Sequence, residues 1–85
     1  MREVVFDTET TGREAESGDR IVEIGCVELI NLSPVATLQR YINPAGREIP
    51  DEVVRVHGLT NAFLSDKPLF KDPDVVDRLL DFFQD

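Results

Sequence analysis

Eighty-five residues allow one small domain or part of a larger one, and 41% apolar against 31% charged leaves enough hydrophobic material for a core. A net charge of −8, with arginines scattered singly, excludes a basic stripe that grips a long duplex through its phosphates. The lone Cys26 excludes an internal disulfide, no run is long and apolar enough to span a membrane, and no signal peptide precedes the first strand, so a cytoplasmic protein is expected.

Glu3 to Asp7 reads as a strand, apolar on both faces at Val4, Val5 and Phe6, which predicts an interior place in a sheet. It runs into Asp7-Thr8-Glu9-Thr10-Thr11-Gly12. Residues two apart in a strand share a face, so Asp7 and Glu9 stand side by side at the strand's end. Two bare carboxylates that close repel, and a shared proton or a divalent cation relieves them. Oxygen-only ligation suits Mg²⁺ or Mn²⁺ rather than zinc. The plainer reading of Asp-x-Glu alone is a solvated acidic strand end.

Arg13 to Asp19 is polar, carries Gly18, and reads as a loop with solvent-facing acids. Ile21 to Ile30 carries the longest β signal, with Val22, Ile24, Cys26 and Ile30 on one face and Ile21, Val27 and Leu29 on the other. Glu23 and Glu28 fit solvated or paired surface acids. Asn31 to Pro34 is a hairpin connection, and Val35 to Ile42 a second antiparallel strand.

After Gly46 the pattern turns helical. Pro50, Asp51 and Glu52 open a short helix, with proline and acids where free N–H groups and the dipole favour them. Val53, Val54 and Val56 are expected to face inward, and Gly58 stops the helix after His57. Thr60 can cap a further turn carrying Ala62, Phe63 and Leu64. Asp72 caps a third helix with Pro73 first, its apolar stripe being Val75, Val76, Leu79, Leu80 and Phe83. Leu80 to Asp85 ends in mid-helix without a glycine cap, so residues 1–85 are expected to be the N-terminal part of a larger domain.

These pieces, in this order, resemble the 3′–5′ exonuclease family with four metal-site acids and a catalytic histidine, and within it the proofreading members. The resemblance rests on Phe6 to Gly12, Ile21 to Gly25, Tyr41 to Pro44, Val56 to Thr60, and Phe63-Leu64 with Lys67-Pro68 and Phe70. It implies an α/β, ribonuclease-H-like fold whose first three strands form an antiparallel meander followed by helices. It implies two-metal hydrolysis, releasing nucleoside monophosphates from a single-stranded 3′ end of DNA, with Asp7 and Glu9 holding two Mg²⁺ or Mn²⁺ ions. Asp7, Glu9, Glu52 and His57 are the implied substrate-binding residues, Thr10 to Gly12 lie along the nucleotide, and the catalytic subunit of DNA polymerase III is the implied partner. Without the family, Glu52 is a first-turn acid and His57 a surface histidine at a helix end.

Two further aspartates and the general-base histidine of that family belong to segments after this one, and His57 is not that histidine. The isolated chain is therefore expected to be inactive, which keeps a non-catalytic fragment as an alternative. An aspartyl phosphotransferase, which also carries two acids on a strand, needs a second aspartate where Glu9 stands and gives Thr10 to Gly12 no role.

Overall fold

The computed structural model describes residues 1–12 and 19–84. Three strands, β1 (Arg2–Thr10), β2 (Ile21–Ile30) and β3 (Ser33–Tyr41), form an antiparallel sheet in the order β1-β2-β3. Three helices follow, α1 (Asp51–His57), α2 (Asn61–Leu64) and α3 (Pro73–Phe83).

Alternation along β2 organises the packing. Val22, Ile24 and Cys26 are buried, and burial pushes the Cys26 thiol's pKa up, as suits a core residue. α3 packs on their face: Val75 joins Ile24, Cys26, Leu38 and Ile42 in one cluster, with Val4, Leu79 and Phe82 against it. Asp72 accepts a hydrogen bond from the Asp74 N–H (2.9 Å) and Pro73 occupies the first turn, so the expected cap forms. A second cluster, Val22, Ile49, Leu59 and Leu64 with Tyr41, Val53 and Val54, ties α1 and α2 to the sheet.

β2 keeps the boundaries its pattern predicts; its neighbours differ. β1 runs on to Thr10, and among the described residues it is an edge strand rather than an interior one, with Val5 and Phe6 about half exposed. β3 begins at Ser33 because the hairpin needs only Asn31 and Leu32 as its turn, both at positive φ (50° and 70°). Pro34 fits inside β3 because the strand is an edge and the register shifts beside it, between Glu28 and Leu29.

Three apolar assignments on helices reverse. Val56 is 79% exposed, because a seven-residue helix packing Val53 and Val54 turns position 56 away. On α3, Phe82 packs on the core while Leu80 and Phe83 lie largely exposed, Phe83 reaching the Phe6 ring at 6.0 Å. Arg2 pairs with Glu28 and donates to the Phe82 carbonyl (2.5 Å), which pins the end of α3 beside β1. Gly18 and the acids Glu14 and Glu16 lie outside the described residues.

Candidate active site

The register sets Asp7 opposite Gly25 and Glu9 opposite Glu23. These β2 residues alternate with Val22, Ile24 and Cys26, so both acids stand on the sheet face turned away from α3. Asp7 borders a shallow hollow on that face, beside Gly25, Val27, Thr37 and Gln39, and its Oδ1 accepts from the Thr8 N–H (2.9 Å). The hollow exists because Gly25 carries no side chain there: a Cβ would meet nothing within 4 Å.

Past Glu9 the register shifts, Thr10 pairing with Ile21, so that Val22 becomes the extra residue of a bulge. The bulged end forms one wall of a groove of about 590 Å³ whose other wall is α1. Glu9, Thr10, Gly12, Asp19, Arg47, Glu52, Val56 and His57 line it, among others. Glu9, Glu52 and His57 are thus brought together, while Asp7 lies next along the strand in the adjoining hollow. A separate cavity of about 430 Å³, lined by Ile21, Ile42, Leu69 and Phe70 among others, has no carboxylate among the described residues that line it. The acid-lined groove is therefore the candidate site.

His57 sits where α1 ends. Gly58 takes a left-handed conformation (φ 77°) and its N–H closes on the Val54 carbonyl (2.6 Å). This turn carries the Leu59 N–H to His57 Nδ1 (3.0 Å), and His57 Nε2 lies 3.1 Å from the Thr10 carbonyl. Nδ1 must accept, so Nε2 bears the proton and donates to Thr10. Both ring nitrogens are engaged by backbone, and His57 is a clamp between α1 and the end of β1.

The opposite wall is fixed by Thr11 and Asp19. Thr11 is fully buried; its hydroxyl donates to Asp19 Oδ1 (2.9 Å) and accepts from the Arg20 N–H (3.0 Å). Arg47 Nη2 reaches the same Asp19 oxygen at 3.2 Å, and the Asp19 side chain is only 11% exposed. Asp19 is therefore not the solvent-facing loop acid that its polar neighbours suggest. Its partnership with Thr11 pairs two loop residues across the sheet's end, a contact with no periodicity to reveal it.

Among the described residues that line it the groove is acidic, with Glu9, Asp19 and Glu52 against Arg47. Asp7 and Glu9 offer oxygen donors on a rigid strand, which fits a hard divalent cation. Among the described residues no group of three or more His, Cys, Asp or Glu side chains that could hold a metal ion forms. Glu52 stands in the first turn of α1, where the dipole favours it, and also borders the groove.

The sequence model of one family, described as Exonuclease (RNase T), matches residues 4–85. The DNA polymerase III subunit epsilon of Rickettsia conorii is 44% identical over 86 residues, covering the whole chain and 36% of that protein. Its counterpart in Salmonella typhimurium is 41% identical over 88 residues, covering 98% of the chain and 35% of that protein. The chain thus spans about a third of the length of these relatives. Among solved structures, exonuclease X in complex with 5′ overhanging duplex DNA superimposes with a TM-score of 0.74 at 30% identity, covering 89% of this chain and 42% of that one. A full-length 3′-exonuclease gives a TM-score of 0.78 at 24% identity over 95% of this chain and 28% of that one. The three-stranded meander with its helices is accordingly the ribonuclease-H-like arrangement of these nucleases.

Proposed function

Since the chain belongs to the exonuclease family, we propose that it is the N-terminal part of a metal-dependent 3′–5′ exonuclease that proofreads for DNA polymerase III. The groove between β1 and α1 receives the terminal nucleotide of a single-stranded 3′ end of DNA, and the polymerase's catalytic subunit is the partner. The cytoplasm, where bacterial DNA is copied, is the compartment this role requires. The observation that carries the reading is the convergence of Glu9, Glu52 and the His57 clamp on one groove next to Asp7.

In this reading Asp7 and Glu9 hold Mg²⁺ or Mn²⁺. When bound, such ions activate a water and stabilise the leaving 3′ oxygen. The chain's own residues orient the substrate: Thr10 to Gly12 form a fixed rail along the nucleotide, Val56 offers an apolar surface to it, and Glu52 borders its sugar. Thr8 donates to Asp7 and holds that carboxylate in one rotamer.

Adding Mn²⁺ to the isotope-labelled chain is expected to broaden resonances near Asp7 and Glu9 first. Affinity should be weak, because two carboxylates leave most of the shell to water. Asp7→Asn should remove the localised effect. Equal broadening at Glu3, Asp66 and Asp77 would show that no cation site exists.

A further inference from the structure

An acidic groove in a chain of net charge −8 repels a phosphodiester, so the strand needs a cationic contact besides any bound metal. His57 does not provide one, since backbone groups engage both of its ring nitrogens. Arg47 is the one arginine or lysine among the described residues lining the groove. A guanidinium carries five N–H donors, and the hydrogen bond to Asp19 uses one Nη2 group. The Arg47 side chain is 42% exposed, whereas Asp19 is 11% exposed and is held by Thr11 whether or not Arg47 is present. Asp19 is thus a fixed anchor, and Arg47 extends from it with donors to spare along the groove rim.

We propose that Arg47 contacts a phosphate of the single strand in this groove and that Asp19 is the positioning residue that aims it. This rests on the function proposed above and adds a residue to it. A guanidinium matches the geometry of two phosphate oxygens, and prior orientation by Asp19 reduces the entropy lost on contact.

The test is binding of tetrathymidylate to the 85-residue chain at fixed Mg²⁺, followed by NMR shifts across a salt series. Losing one phosphate contact flattens the log–log salt dependence by about 0.7 for a single strand. Arg47→Met is expected to show that flattening and a loss of roughly threefold to tenfold at low salt, with Arg47→Lys keeping the slope. A purely structural role for Arg47 does not change the slope, and circular dichroism of both variants checks that they fold. An Arg47→Met slope equal to that of the unsubstituted chain, or an Arg47→Lys slope as flat as Met, overturns the assignment and leaves the proposed function standing. No binding by the unsubstituted chain overturns both.

Discussion

A Cβ placed on Gly12 would stand 2.4 Å from Oδ2 of Asp19. The end of a side chain can often swing aside from such a clash, but Thr11 and Arg47 hold this carboxylate. Gly12 is therefore required by close approach, and its backbone closes against Asp19 as the groove's end wall.

Gly12→Ala should accordingly destabilise the chain by about 1–3 kcal/mol, the scale of disrupting a partly buried hydrogen-bonded pair. Urea unfolding measures it. In the Gly12→Ala/Asp19→Ala double variant the two losses should fall short of their sum, since removing the carboxylate removes the clash. Strict additivity would mean that the two residues do not meet.

His57→Ala removes the clamp between α1 and Thr10 and takes the acceptor from the Leu59 N–H. A loss of about 1–3 kcal/mol is expected, with faster hydrogen exchange at Leu59. Because the ring nitrogens of His57 bond to backbone rather than to Asp7 or Glu9, localised Mn²⁺ broadening at those acids should persist. Its disappearance, with the fold intact, would give His57 a direct part in the cation site.

The 85-residue chain alone should not release mononucleotides from a 3′ end at a measurable rate. Its single histidine is committed to backbone bonds, and no three-ligand cluster forms among the described residues. Each tenfold in rate corresponds to about 1.36 kcal/mol of barrier, and lacking a base and part of the metal shell costs several such steps. Reproducible Mg²⁺-dependent release that Glu9→Ala abolishes would refute this.

How far the sequence exposes this arrangement depends on how local the cause is. A continuous β-favouring run marks out β2, and the Asp72-Pro73 pair starts α3, because both signals lie within a few residues. The common face of Asp7 and Glu9 follows from strand geometry alone. Which face it is does not, because Val4, Val5 and Phe6 are apolar on both sides and α3 decides which is covered. Phe82 and Phe83 are adjacent and chemically alike, so the docking angle of α3 chooses between them. The Thr11–Asp19–Arg47 contacts join three separate loop positions, and nothing in any one of them announces the others.

Among the described residues the outer edge of β1 pairs with no strand, and Val5, Phe6, Leu80 and Phe83 expose 44–59% of their surface beside it. An unpaired edge flanked by apolar side chains recruits other chains, against the solubility that a charge of −8 confers. Self-association at low micromolar concentration is expected in size-exclusion chromatography. A clean monomer with all amides of Val4 to Phe6 protected would show that the edge is closed.

The two-residue turn at Asn31 and Leu32 joins β2 to β3 by a short connection, whereas β1 reaches β2 only through the longer segment after Gly12. Hairpins with such turns assemble locally in microseconds, and a strand joined by a longer loop adds later and leaves sooner. Among the described residues β1 also has one neighbouring strand to hold it, where β2 has two. Partial opening should therefore peel β1 away while the β2–β3 hairpin survives, separating Asp7 and Glu9 from α1 in an otherwise ordered molecule. Mild heating would then draw Asp7 and Glu9 away from the groove well before circular dichroism reports the loss of the sheet.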